Sequence, residues 1–182
     1  VQVHTKFVPD RGALERVDRA YVGRVVDRSL ARLRAETLDL VQFHWWRYEV
    51  PGMVEVAGLL DDLRRAGKIR HLALTNTDAP HTRALLDAGV PLVATQVQYS
   101  VLDRRPAARL APLALERGLQ LLCYGSVAGG FLAEAWRGAA EPAAALENRS
   151  LTKYRLVIDD CGGWGAFQRL LEALGDVAAR HG

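Results

Sequence analysis

One pattern recurs five times along the chain: a short apolar run of strand length, then a longer stretch with apolar residues at three- and four-residue steps. The runs cover residues 1–7, 38–46, 69–76, 92–99 and 119–124. Between the first two, Val22, Val25, Val26, Leu30 and Leu33 fall on one helical stripe. The next gap repeats it with Val56, Leu59, Leu60 and Leu63 and stops at Gly67, a residue suited to the left-handed position past a helix end. Asp78 can cap and Pro80 can open a helix that ends near Gly89, and Pro106 and Gly118 bracket another. Connections of this length join parallel strands by crossovers, in an open doubly wound sheet or in a (β/α) barrel. No Gly-rich phosphate fingerprint follows the first strand, which counts against the dinucleotide-binding open sheet. The pairs Gly129-Gly130 and Gly162-Gly163 read as turns.

At 182 residues, 49% apolar and 25% charged, the chain has material for one sizeable core, and a single domain over 1–182 is expected. Residues 138–165 read as an irregular surface excursion, in which Lys153 and Tyr154 have no assignment beyond the surface. Residues 166–181 form the last amphipathic helix, with Phe167, Leu170, Leu171, Leu174 and Val177 on its stripe. A formal charge of +3 spread along the chain argues against nucleic acid as a partner. The two cysteines make no disulfide framework, and no His or Cys spacing suggests a metal. No apolar stretch approaches the ~18 residues of a spanning helix, so no membrane partner and a reducing, cytoplasmic setting are expected.

Side chains alternate across a strand, so the last inward position of each run can be read for chemistry. If Lys6 faces inward, its strand shares that face with His4 and Gln2. The next strands contribute Leu40, Gln42 and His44, then Leu72, Leu74 and Asn76, then Leu92, Ala94 and Gln96, then Gln120, Leu122 and Tyr124. Each ends in a polar or ionisable group: Lys6, His44, Asn76, Gln96 and Tyr124. In a barrel these ring the C-terminal mouth, where such enzymes keep their active sites. Singly, each has an ordinary structural explanation: a snorkelling Lys, a hydrogen-bonded His, turn-forming amides. Together, at equivalent positions in consecutive units, they point to a site.

Several segments carry a family resemblance. Val3-His4-Thr5-Lys6, Ser29 to Leu33 followed by Leu38 to Trp45, Gly67-Lys68-Ile69-Arg70 with Leu74-Thr75-Asn76, Gln96 to Ser100, and Tyr124-Gly125-Ser126 leading to Gly129-Gly130 together resemble the aldo-keto reductases, in family order and spacing over residues 1–134. The resemblance implies a (β/α)8 TIM barrel, here an incomplete barrel of about five parallel βα units. It also implies hydride transfer from NADPH to a small aldehyde or ketone substrate. In that family a Tyr protonates the carbonyl oxygen, with a Lys and a His beside it and an Asp beside the Lys. The cation favours phenolate and lowers the Tyr pKa towards the working range. By motif Lys6 is the Lys and His44 the His, a group placed to donate to a bound carbonyl or phenol. Thr75 and Asn76 match the pair holding the nicotinamide carboxamide, and Gln96 its Gln contact. Tyr124 matches the aromatic on which the ring stacks. Gly125, Ser126 and Val127 stand where the family usually has Ser-Pro-Leu along the pyrophosphate. Trp45, Trp46 and Tyr48 line a substrate pocket or pack beneath their loop. Lys68 matches a turn position.

The proton-donating Tyr and its Asp belong upstream of the Thr-Lys strand, and neither is present in residues 1–182. The eighth strand, with its basic grip on the 2′-phosphate, is likewise missing. The expectation is therefore a fragment of an ordinary reductase, units three to seven, inactive alone. Two other readings stay open: a non-catalytic nicotinamide-binding or subunit protein of the same fold, and a barrel using Lys6 for Schiff-base chemistry. NADP against NAD and the oligomeric state are left open.

Overall fold

The five apolar runs become strands, and crossover helices separate them. In the computed structural model, which describes residues 1–143, 146 and 148–181, the strands are β1 (His4–Phe7), β2 (Leu38–Phe43), β3 (Ile69–Thr75), β4 (Leu92–Gln98) and β5 (Gln120–Tyr124). The helices are α1 (Arg19–Leu33), α2 (Met53–Arg65), α3 (Ala79–Asp87), α4 (Arg105–Arg117), α5 (Arg149–Asp160) and α6 (Gly163–His181). The strands lie side by side in chain order, and β1 to β4 pair in parallel. Helix boundaries follow local chemistry. Asp18 caps α1 by accepting from the Tyr21 amide at 2.7 Å, and Asp78 caps α3 by accepting from the His81 amide at 2.9 Å. Asp18→Ala is expected to cost about 1 kcal/mol in chemical denaturation; an unchanged midpoint would show that α1 does not depend on this cap.

The chain divides into two compact units, Val1–Val97 with Pro106–Leu122, and Gln98–Arg105 with Cys123–Gly182. In the first, one face of the sheet (Val41, Phe43, Leu72, Leu74) packs with Val22 and Val26 of α1 and Val56 and Leu60 of α2. The opposite face carries a separate, smaller cluster of Leu40, Ala73 and Ala94, with Leu122 against it. This corrects the alternation expected for β3. Ala73, not Leu72 or Leu74, shares the face of Leu40 and Ala94. The register agrees, with Lys6 opposite Gln42, Gln42 opposite Ala73, Ala73 opposite Ala94 and Thr75 opposite Gln96, after an irregularity between Leu72 and Ala73. A strand apolar on both faces hides its own parity.

The second unit has its own core of Phe131, Tyr154, Ile158, Phe167 and Leu171. Phe131 sits at its centre, 4.9 Å from the Trp136 ring and edge-on to Phe167 at 6.2 Å. Where an irregular excursion is expected over 138–165, residues 149–160 are helical and α6 begins at Gly163. The cause is local: the Asn148 side chain accepts from the Leu151 amide at 3.0 Å and starts α5. Leu151, Tyr154 and Ile158 then supply one apolar stripe. Tyr154 is therefore a core residue, 6% exposed, and not a surface one.

Candidate active site

The first unit brings its polar strand ends into one hydrogen-bonded rim. His44 follows β2, half-buried, and its Nδ1 lies 3.0 Å from the Thr75 carbonyl oxygen. A carbonyl only accepts, so Nδ1 carries the proton and the neutral ring keeps a lone pair at Nε2. His44 thus donates at Nε2 only as imidazolium. This qualifies its expected role as a donor to a carbonyl: as the neutral ring it accepts. The Thr75 hydroxyl in turn meets Gln96 Oε1 at 3.2 Å, across the β3–β4 register. Asn76 stands just past β3 with its amide donating to the Gln96 carbonyl at 2.8 Å, and its φ of 55° is left-handed. Asn tolerates that conformation better than most residues because its short amide bonds locally.

Lys6 is exposed on β1 and, among the described residues, makes no hydrogen bond or ion pair. Its register partner Gln42 is 2% exposed, with an Oε1 that has no partner. Sequence reading passes over Gln42 as an interior strand residue. A buried amide oxygen without a partner is the signal that marks it.

The three aromatics after His44 separate. Trp45 is 2% exposed, gives its indole N–H to the Val50 carbonyl at 3.0 Å and packs on Phe43, so it belongs to the core and not to a substrate pocket. Its Nε1 reaches a backbone acceptor, which makes full burial of an indole affordable. Trp46 is 38% exposed and stands edge-on to His44 at 4.5 Å, held by an N–H bond to Pro9 O at 2.7 Å and by Arg11 over its face. Tyr48 is 37% exposed and stacks on His81 with ring centroids 3.7 Å apart. Burial pushes the Tyr48 phenol up, and the nearby Asp78 charge adds to that, against lowering hydrogen bonds from the Asp78 backbone and the Thr77 side chain. Lys68 pairs with Asp27 at 2.5 Å after the Gly67 turn, a structural role.

The second unit holds the remaining matches. Tyr124 ends β5, half-buried, with the Lys153 ammonium 5.2 Å from its ring centroid. The Gly125-Ser126-Val127 turn follows, and Gly125, Ala128, Gly129 and Gly130 all have positive φ. Tyr154 fills the space where side chains on Gly125 and Gly129 would stand. Among the described residues no group of three His, Cys, Asp or Glu side chains gathers to hold a metal, and no helix is long and apolar enough to cross a membrane.

Comparison with known proteins adds identity to this geometry. The model of the aldo/keto reductase family matches residues 1–182. Flagellar radial spoke protein 5 of Chlamydomonas reinhardtii is 30% identical over 166 residues, which is 81% of this chain and 31% of that protein. The NADH-specific methylglyoxal reductase of Escherichia coli is 32% identical over 129 residues, 69% of this chain and 39% of that one. Among solved structures, the holo form of an aldo-keto reductase from Bacillus halodurans superposes with a TM-score of 0.64 at 27% identity, covering 80% of this chain and 46% of its own. An aldo/keto reductase from Klebsiella pneumoniae, in complex with NADP and acetate, gives a TM-score of 0.61 at 25% identity over 72% of this chain and 44% of its own. The chain spans about a third of the length of these two curated relatives and just under half of each solved structure.

Proposed function

Because the chain belongs to the aldo/keto reductase family, we propose that its residues serve the NADPH-dependent reduction of an aldehyde or ketone carbonyl. The observation that carries the reading is the rim itself: His44, Thr75 and Gln96 linked across three strand ends, with Asn76 beside them and Lys6 unpaired on the neighbouring strand. The side chains fit a nicotinamide. The Thr75 hydroxyl and the Asn76 and Gln96 amides offer both donors and acceptors, as a carboxamide requires. The flat face of Tyr124 suits ring stacking, and the glycine turn from Gly125 through Ser126 and Val127 suits close backbone approach to a pyrophosphate. The NADP in the Klebsiella pneumoniae complex supports NADPH.

When bound, the cofactor supplies hydride. Lys6, a cation without a carboxylate partner among the described residues, stabilises negative charge growing on a carbonyl oxygen. Trp46, exposed beside His44, forms the substrate wall. His44 binds a carbonyl as imidazolium and a hydroxyl as the neutral ring, since its Nδ1 proton is committed to Thr75. The proton itself comes, in this reading, from a Tyr beside Lys6, and residues 1–182 contain none in that motif. These 182 residues are therefore proposed to bind the nicotinamide without turning over a carbonyl. Nicotinamide fluorescence is expected to change when NADPH is mixed with the chain, and Asn76→Ala to weaken that binding about tenfold through lost hydrogen bonds. Carbonyl-dependent loss of nicotinamide absorbance is expected to be the same for the chain and for His44→Ala. No fluorescence response sinks the cofactor reading, and a clear His44-dependent rate sinks the absence of turnover.

A further inference from the structure

The loop after β2 reaches the turn after β3 through a single hydroxyl. Tyr48 Oη accepts from the Asp78 amide at 3.3 Å and lies 3.5 Å from the Asn76 carbonyl oxygen, to which its proton points. Both contacts are long, and neither alone would fix a turn. They act with a third: the Tyr48 ring lies flat on His81, 11° from parallel. His81 is not free to move away. Its backbone amide and its Nδ1 both meet Asp78 Oδ1, at 2.9 and 2.6 Å, and a carboxylate acceptor places the proton on Nδ1. Asp78 is itself the cap of α3. Tyr48, the turn from Asn76 to Asp78 and the first turn of α3 thus form a closed loop of contacts, with Thr77 buried between.

What the closed loop restrains is a residue in an uncommon conformation. Asn76 holds φ of 55°, which costs a non-glycine residue free energy unless its surroundings enforce it. On one side the enforcement comes from β4, through the Asn76 amide on the Gln96 carbonyl. On the other side it comes from Tyr48. Resting on the cofactor reading above, we infer that Tyr48 is a positioning residue: it pins the 76–78 turn so that the Asn76 side chain is set for the nicotinamide carboxamide. Two other roles for Tyr48 fit less well. A proton donor needs a phenol drawn towards neutral pH, whereas burial raises this one and its proton faces a backbone carbonyl. A substrate wall needs only the ring, and leaves the hydroxyl's contacts with Asn76, Thr77 and Asp78 without purpose.

Tyr48→Phe separates these roles, because it keeps the ring on His81 and removes the hydroxyl. In the chain without cofactor, hydrogen exchange at the Asp78 amide is expected to speed up about fivefold or more, while that at Leu74 stays unchanged. NADPH titration followed by nicotinamide fluorescence is expected to show binding weakened about fivefold to tenfold. The decisive step repeats Tyr48→Phe in an Asn76→Gly background, where glycine keeps the left-handed turn but has no amide. If Tyr48 works through Asn76, its effect on NADPH there falls below about twofold. Equal weakening in both backgrounds overturns the positioning role, and unchanged exchange at Asp78 overturns the clamp itself. If the native chain gives no NADPH response, the cofactor reading fails and the role towards cofactor fails with it; the exchange at Asp78 still decides the clamp.

Discussion

Gly125→Ala is expected to destabilise the second unit by about 2–4 kcal/mol. Two costs add. The backbone at Gly125 has φ of 68°, where an L side chain costs roughly 1 kcal/mol or more. The new methyl also has no room: it would stand 2.9 Å from Tyr154 Cε1 and 3.0 Å from Cζ, with the hydroxyl oxygen nearer still. Tyr154 is 6% exposed in a packed core and cannot swing away without opening a cavity, so overpacking adds about 1–3 kcal/mol. Tyr154→Ala alone costs about 3 kcal/mol as a large-to-small change. Combined with Gly125→Ala it should cost clearly less than the sum, because removing the ring removes the clash. Chemical denaturation of the four chains measures this. Simple additivity would show that the penalty at Gly125 is wholly backbone conformation.

The second large effect belongs to Asp103, whose side chain is 2% exposed beside a guanidinium that is mostly in water. Its oxygens accept from Arg105 Nε at 2.8 Å, Arg105 Nη2 at 2.6 Å and Gln98 Nε2 at 2.8 Å. Asp103→Ala leaves the buried Gln98 amide without its acceptor and is expected to cost about 2–3 kcal/mol. The exposure of Arg105 keeps the figure below that of a fully buried pair. The Arg105 hydrogen bonds hold the Asp103 carboxyl below the usual carboxylate range, against the opposing effect of burial. A depressed folded value means that the stabilisation is complete above the unfolded value of about 3.9 and is lost as pH falls through the folded one. Denaturation midpoints of the native chain and Asp103→Asn should therefore differ most above about pH 5 and converge in stronger acid. A gap that stays constant down to pH 2 would mean that Asp103 does not contribute through its charge.

How much was legible depended on whether a residue's partners were near it in sequence. Leu38 to Phe43 reads as a strand because nothing interrupts its apolar run, and Lys6 and His44 stand at strand ends where alternation places them. The parity of β3 was not legible, because His71 to Thr75 offers apolar residues to both faces, and only pairing with Gln42 and Gln96 decides which are inward. Trp45 and Trp46 are neighbours of the same type. Their opposite fates are set by a carbonyl at Val50 and another at Pro9. The proton position on His44 depends on Thr75, 31 residues away. Helix α5 is not legible in the sequence because its stripe offers about one apolar residue per turn after an Ala- and Pro-rich approach, and its cap, Asn148, resembles any loop Asn. His81 carries no signal in the sequence, because only its ring stacked on Tyr48, 33 residues away, sets it apart.

The four tryptophans fall two to each unit: Trp45 and Trp46 among Val1–Val97, and Trp136 and Trp164 within Cys123–Gly182. Their environments also differ. Trp45 is sealed in an apolar core and Trp46 faces water, whereas Trp136 and Trp164 stand edge-on to one another at 5.8 Å within an aromatic cluster. The chain therefore carries its own pair of optical reporters. Coupled-chromophore dichroism from the second pair follows the core of the second unit, while indole emission sums all four rings, so a dichroism change that precedes or trails the emission change marks one unit melting apart from the other without any added label.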